Sequence, residues 1–303
     1  MSFLLIKLIA IFAMIMDHIG VAYGTLTGYG ILTNNISQVI GFIGRISFPI
    51  FAFGIVNGWV YSKNREKYFS RMILFSSISQ IPYTLATYPV NLISVNNINN
   101  ATYFSINKLP FIITCIGALV YWYLIRDRKW SKTIVWILLS GVMSSVLIKI
   151  NYVWIISDEL NVFFTLALGI VSIYIIDVLK NRYFKKWYKN ITLLIVTIST
   201  VLIIGTQADY GKLLLGIILI ISLYIAKKYR YIQALVILIW GAITYGVVYN
   251  NWLNFYSMFF VCAIILAYNG EKGRNTKYIL YYVYPIHLLI IGFINMTLKF
   301  TLI

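Results

Sequence analysis

Long apolar runs recur along the whole chain, and this feature limits the possible folds more than any other. Many runs approach 20 residues, the length of an α-helix that crosses the roughly 30 Å hydrocarbon core of a bilayer. Hydrophobic residues make up 61% of the chain and charged residues 11%, whereas soluble domains are about half apolar and about a quarter charged. The sequence therefore predicts an all-α, polytopic transmembrane helical bundle, with residues 1–303 forming a single integral-membrane domain.

Basic loops alternate with nearly uncharged loops between these runs. Most of the 25 lysines and arginines fall in five short loops, such as residues 63–71 and 180–189. This is the positive-inside pattern, and it predicts about 11 spans with a cytoplasmic N-terminus and an outer C-terminus. The pattern also accounts for the net charge of +17. We therefore expect the partner of this charge to be the lipid bilayer and not a nucleic acid. The predicted spans are 3–23, 37–60, 69–88, 109–125, 133–150, 161–179, 190–205, 212–226, 232–249, 252–268 and 278–300.

Two histidines, one aspartate and one arginine stand out well inside the predicted spans. They are Asp17 and His18 in MDHIG, Arg45 in GRISFP and His287 in YPIHLL. Such a group costs about 2.5–3.5 kcal/mol at the centre of a membrane helix on insertion scales, and it usually faces the bundle interior. Both histidines are predicted to lie roughly 15 Å from the cytoplasmic boundary, at about 1.5 Å per residue. The four groups could therefore line one cavity near the membrane centre.

These residues alone leave several roles open. Asp17 and Arg45 could form an ion pair that fixes helix register, and His287 could cap backbone carbonyls near Pro285. No spacing typical of a metal site is present, so no metal is expected. One chemistry is general-base catalysis of acyl transfer by His18. The alternative is a proton-coupled transporter or flippase that uses Asp17, His18 and Arg45 as a relay.

Several motifs in one order resemble the TraX family. They are KLIAIFAMIMDHIG, IGRISFPIFAFGIVNGW, SSISQIPYTL, NVFFTLALGI, QADYG and YYVYPIHLLI, spread from residue 7 to about residue 292. The family is related to a wider group of transmembrane acyltransferases. The resemblance implies a multi-pass acetyltransferase of the bacterial cytoplasmic membrane. Its donor would be cytoplasmic acetyl-CoA. Its acceptor would be an amine or hydroxyl on the outer side, such as a pilin amino terminus, a surface glycan or a peptide.

The resemblance also implies roles for particular residues. His18 would be the catalytic base, with Asp17 orienting it indirectly or pairing with Arg45. His287 would act as a second acid or base or contact the thioester. Arg45 and Tyr284 would contact acetyl-CoA.

Two further groups of residues are implied to bind donor and acceptor. The basic cytoplasmic loops would attract the CoA phosphates, although a role as solvated surface is an alternative for each residue. Polar residues at the outer ends of spans would hold the acceptor. The donor candidates are Lys63, Arg65 and Arg71, and the acceptor candidates are Asn161, Thr165, Asp209 and Tyr210.

Overall fold

The chain divides into two compact units, each assembled from separated stretches of sequence. The computed structural model describes residues 1–24, 32–87, 147–150, 153–156, 160–180, 205, 209–273 and 278–302. The first unit contains Met1–Asn57, Pro82–Asn91 and Ser222–Ile303, and the second contains Gly58–Ile81 and Leu92–Ile221. The single domain predicted for residues 1–303 stays a prediction.

Helices dominate the described residues, as predicted. In chain order they are α1 (Phe3–Tyr23), α2 (Asn34–Gly44), α3 (Ser47–Tyr61), α4 (Arg65–Thr87), α5 (Val162–Lys180), α6 (Leu215–Ile225), α7 (Arg230–Gly241), α8 (Trp252–Leu266) and α9 (Ile279–Leu302). A 3-10 turn, Lys212–Leu214, precedes α6, and a π-helical segment, Ala242–Val248, follows α7.

Within the described residues, three helical stretches are long and apolar enough to cross a membrane. They are Phe3–Tyr23, Asn34–Tyr61 and Arg230–Val248. Shorter apolar helices occupy Val162–Asp177, Lys212–Ile225, Trp252–Leu266 and Tyr281–Asn295. These ranges overlap predicted spans, and α1 has the predicted bounds of 3–23. The predicted spans 109–125 and 190–205 lie outside the described residues, apart from residue 205. The number of spans and the sides of the termini stay predictions.

The predicted span 37–60 is interrupted near its middle. Helix α2 ends at Gly44, Arg45 caps it, and α3 begins at Ser47. Pro49 does not lie at this break but in the first turn of α3. The first backbone N–H groups of a helix have no partner within the helix, so proline costs little there.

One predicted helix end is wrong. The span 133–150 was expected to be helical to its last residue, but Leu147–Ile150 forms strand β1. It pairs antiparallel with β2, Val153–Ile156, with Ile150 opposite Val153. Two residues separate the strands, a common hairpin spacing, and β-branched residues favour strands. A short apolar run does not by itself distinguish a strand from a helix.

Helix α9 lies close to α1 and to the end of α4 in the first unit. Helices α1 and α9 are in contact. A methyl group added to Gly292 of α9 would lie 2.8 Å from Leu85 Cβ on α4. The Asn295 amide donates to the carbonyl of Ala86, at 2.9 Å. Small residues permit this approach between membrane helices, and it brings residues of three distant segments together.

Asn161 links α4 to α5 in the second unit. Its side chain is fully buried, and its Nδ2 donates to the Ser76 carbonyl and to Gln80 Oε1, both at 2.8 Å. Its Oδ1 accepts from the N–H of Phe163 at 3.0 Å, which caps the start of α5. Polar groups in a membrane interior have to be satisfied within the protein. Asn161 accepts a hydrogen bond from a backbone N–H in the first turn of α5 and fixes α5 to α4.

We expect Asn161→Ala to lower the free energy of unfolding by about 1–3 kcal/mol or more, because it leaves buried donors and acceptors without partners. Thermal unfolding in detergent micelles measures the effect. Ser79→Ala is the matched control, because the buried Ser79 hydroxyl has no hydrogen-bond partner among the described residues. Equal losses in the two variants would contradict this role for Asn161.

Candidate functional site

Two histidines from opposite ends of the sequence form a buried hydrogen-bonded pair. His18 Nδ1 on α1 lies 2.8 Å from His287 Nε2 on α9. Each side chain is 7% exposed. The ring centroids are 4.9 Å apart. The two histidines that the sequence places inside predicted spans are therefore direct partners in the first unit.

The backbone of α9 determines the direction of this hydrogen bond. His287 Nδ1 lies 2.8 Å from the carbonyl oxygen of Val283. A carbonyl only accepts, so Nδ1 of His287 carries the proton and Nε2 of the neutral ring is an acceptor. His18 Nδ1 then donates to His287 Nε2. Neutral His18 is left with a proton-free Nε2, which has no hydrogen-bond partner among the described residues.

Two buried tyrosines enclose the pair. Tyr284, one turn before His287 on α9, meets the His18 ring edge-on with centroids 5.8 Å apart. Tyr83 on α4 meets the same ring at 6.4 Å. Tyr284 is fully buried and Tyr83 is 4% exposed. The aromatic rings fix the orientation of the His18 imidazole and limit access of water to it.

Asp17 pairs with Arg45 rather than with His18. Arg45 Nη2 lies 3.1 Å from Asp17 Oδ1. Adjacent residues point about 100° apart on a helix, so α1 directs His18 to α9 and Asp17 to the α2–α3 junction. The resemblance implied that Asp17 either orients His18 indirectly or pairs with Arg45, and the structure contains the pairing with Arg45.

Gly44 allows α2 to approach α1 at this ion pair. A Cβ atom added to Gly44 would lie 2.4 Å from Asp17 Oδ1 and 2.8 Å from Asp17 Cα. Any side chain at position 44 would therefore displace the carboxylate or the helix. The next residue is Arg45, so the same close approach brings its guanidinium to Asp17.

The predicted donor-binding residues Lys63, Arg65 and Arg71 belong to the second unit. Arg65 Nη1 donates to Asp177 Oδ2 at 3.1 Å, and the Trp59 indole donates to the same oxygen. Arg71 lies over the ring of Tyr68. Lys63 is exposed in the connection between α3 and α4. Arg65 is thus engaged by a carboxylate of its own unit.

The predicted acceptor-binding residues also belong to the second unit, where each of them takes part in hydrogen bonds within the protein. Both amide hydrogens of Asn161 are used by α4. The Thr165 hydroxyl donates to the carbonyl of Asp209. Asp209 Oδ1 accepts from the N–H of Tyr210 at 2.9 Å, and Tyr210 has a positive φ of 58°. These contacts shape the backbone before α6.

Tyr83, Gly44 and the Val283 carbonyl were not among the predicted site residues. Tyr83 follows Pro82 in the motif SSISQIPYTL, as Tyr284 precedes Pro285 in YYVYPIHLLI. A tyrosine beside a proline inside an apolar helix is a signal that could have identified it. No comparable signal exists for a backbone carbonyl. Among the described residues, no group of three or more His, Cys, Asp or Glu side chains could hold a metal ion.

Comparisons with known proteins give one family and one relative. A family profile described as "TraX protein" matches residues 2–154 and 109–295. A protein of Dichelobacter nodosus, described as "Probable fimbrial assembly protein FimC, serogroup H1", is 30% identical over 79 residues. That match covers 26% of this chain and 30% of the relative. No solved structure matches.

We expect Gly44→Ala to lower the free energy of unfolding by about 1–3 kcal/mol, since the added methyl overpacks the contact with Asp17. Gly41→Ala, on the same helix, is the matched control because a Cβ there meets nothing within 4 Å. At an interior helix position alanine is about 1 kcal/mol more favourable than glycine. The free energy of unfolding of the control should therefore stay unchanged or increase. Thermal unfolding in one detergent compares them, and a stabilised Gly44→Ala would refute the close contact.

Proposed function

The chain belongs to the TraX family, and from this premise we propose that it is a membrane-bound acetyltransferase. It transfers an acetyl group from cytoplasmic acetyl-CoA to an amine or hydroxyl on the outer side of the bacterial cytoplasmic membrane. The observation that carries the proposal is the buried His18–His287 pair, whose hydrogen-bond direction leaves His18 Nε2 proton-free.

His18 acts as the general base in this proposal. Its Nε2 takes a proton from the acceptor amine or hydroxyl while the acceptor nitrogen or oxygen attacks the thioester carbonyl carbon. The tetrahedral intermediate then collapses, and its carbon–sulfur bond breaks. The CoA thiolate leaves and receives the proton back from His18. The products are the acetylated acceptor and the CoA thiol, so atoms and protons balance.

His287 is a positioning residue in this scheme. It plays the part of the third group in a nucleophile–base–orienter arrangement, because it accepts from His18 Nδ1 and holds the ring in one tautomer. The proton received at His18 Nε2 gives an imidazolium, and Nδ1 still donates to His287. The hydrogen bond therefore survives the change of charge.

The acceptor class that deserves the first test is a fimbrial or pilus subunit. The family is named for a pilin-modifying protein, and the Dichelobacter nodosus relative is described as a fimbrial assembly protein. The free amino terminus of such a subunit would present an amine on the outer side of the cytoplasmic membrane. Surface glycans and peptides are further acceptors with the same attacking chemistry.

The alternative function, a proton-coupled transporter, needs Asp17, His18 and Arg45 in one relay. In the described residues, no hydrogen bond links His18 to Asp17 or to Arg45. Asp17 and Arg45 instead form an ion pair with each other. The lack of a hydrogen-bonded chain through these three side chains, within the described residues, favours the acetyltransferase.

We expect His18→Ala to lower kcat for acetyl transfer by about 10²–10⁴-fold, the usual contribution of a general base. The assay follows labelled acetyl from acetyl-CoA to a fimbrial subunit or peptide with a free amino terminus, with mass spectrometry locating the product. His18→Ala should still bind acetyl-CoA in calorimetry. A folded His18→Ala variant with full transfer activity would rule out the mechanism.

We expect His287→Gln to retain more activity than His287→Leu. Glutamine offers an amide oxygen that can accept from His18 Nδ1, whereas leucine offers none. The loss in His287→Leu should fall on kcat, with KM for acetyl-CoA little changed, because His287 acts through His18. Equal activity in the two variants, or a change confined to KM, would contradict the positioning role.

A further inference from the structure

A second group of charged residues lies in the same unit as the histidine pair. The N–H of Phe3 donates to the Glu271 carbonyl at 2.8 Å, and the N–H of Asn269 donates to the Met1 carbonyl at 3.0 Å. These backbone bonds hold the α8–α9 turn, Ala267–Gly273, against the start of α1. A Cβ atom added to Gly273 of the turn would lie 2.9 Å from Leu4 Cβ on α1, so Lys272 lies beside the first turn of the helix that carries Lys7.

Arg230, at the start of α7, joins this group. Its Nη1 donates to the Tyr268 carbonyl, and its guanidinium lies over the Tyr268 ring at 4.8 Å. Gly270 has a φ of +85°, and a methyl group there would lie 3.3 Å from Arg230 Nη2. A side chain at position 270 would thus be strained and would crowd the guanidinium. Gly270 therefore lets the turn lie close against this guanidinium.

None of these three cations has a carboxylate partner among the described residues. Lys7 lies over the Phe3 ring at 4.7 Å, and Lys272 is exposed. The one acid in the turn, Glu271, accepts from the Asn269 side chain at 2.8 Å. In contrast, Arg45 and Arg65 each pair with an aspartate. Like charges held together without a counter-charge favour an anionic ligand.

The position of the group relates it to the histidine pair. Lys7 and His18 are on the same helix, roughly 16 Å apart along its axis at about 1.5 Å per residue. His287 is on α9, which begins shortly after the turn. A ligand with its phosphates at this end would need a long, flexible arm to bring a reactive group to His18. This is the shape of a CoA thioester.

We propose that Lys7, Arg230 and Lys272 form the site that binds the phosphates of the acetyl-CoA nucleotide. This proposal rests on the acetyltransferase function and names the part of the protein that holds the donor. It replaces Lys63, Arg65 and Arg71 as the primary donor contacts. The arginine supplies a planar, two-pronged phosphate donor and the lysines supply mobile point charges.

The test is calorimetric binding of adenosine 3′,5′-bisphosphate, which carries phosphates but no thioester, to the whole protein in nanodiscs of zwitterionic lipid. Lys272→Gln is the principal variant, because Lys272 is exposed and we expect its replacement to leave the fold intact. Arg230→Lys and Lys7→Gln extend the series. Lys67→Gln, an exposed lysine of the second unit, is the matched control. Adenosine without phosphates is the negative ligand.

We expect Lys272→Gln to weaken bisphosphate binding by about 10- to 100-fold, the usual effect of losing a hydrogen bond to a charged group. Lys67→Gln should bind as the unmodified protein does. Equal binding by Lys272→Gln and the control would overturn the site, and so would a failure of the unmodified protein to bind the bisphosphate. Displacement of the bisphosphate by dissolved glycerol 3-phosphate at equal concentration would also overturn it, because the site would then recognise a single phosphate such as that of a lipid headgroup.

Transfer activity separates this inference from the proposed function. Active protein whose KM for acetyl-CoA is unchanged by Lys272→Gln would refute the site and leave the acetyltransferase standing. Bisphosphate binding that depends on Lys272, in a protein that transfers no acetyl group to any acceptor, would support the site and refute the acetyltransferase.

Discussion

A polar side chain inside a bilayer must find its partner within the protein, since lipid offers neither donors nor acceptors. The described contacts follow from this constraint. In the first unit, the His18–His287 bond joins α1 to α9, and the Asp17–Arg45 pair joins α1 to the α2–α3 junction. In the second unit, Asn161 joins α5 to α4. Each of these polar groups would be costly alone and instead fixes one helix against another.

The same requirement gives the histidine pair its chemistry. A histidine in water exchanges freely between tautomers, but His287 is held by the Val283 carbonyl and therefore presents an acceptor to His18. The tautomer of His18 follows from a backbone atom two hydrogen bonds away. Tyr83 and Tyr284 pack around the ring, so in the proposed transfer its orientation would be fixed before a substrate arrives. Preorganisation of this kind removes part of the cost of reaching the reactive geometry.

The sequence predicted the unusual residues better than it predicted their partners. His18, His287, Asp17 and Arg45 stood out because ionisable groups are rare in apolar spans. The bond between His18 and His287 depends on the packing of helices that are far apart in the chain, which no local pattern encodes. Tyr83 was missed because it is one of 25 tyrosines. The helix break at Arg45 was also missed, since hydropathy is continuous across it.

The direction of the histidine pair has one more consequence, for the movement of protons. A proton that reaches His18 Nε2 can be passed, through Nδ1, to His287. It can go no farther along this path, because the next group is the Val283 carbonyl, which has no proton to release on its other side. The histidine pair therefore does not conduct protons beyond His287. In the proposed transfer, His18 takes up a proton and releases it at the same atom, Nε2, which leaves both rings as they began, so successive turnovers would need no resetting step.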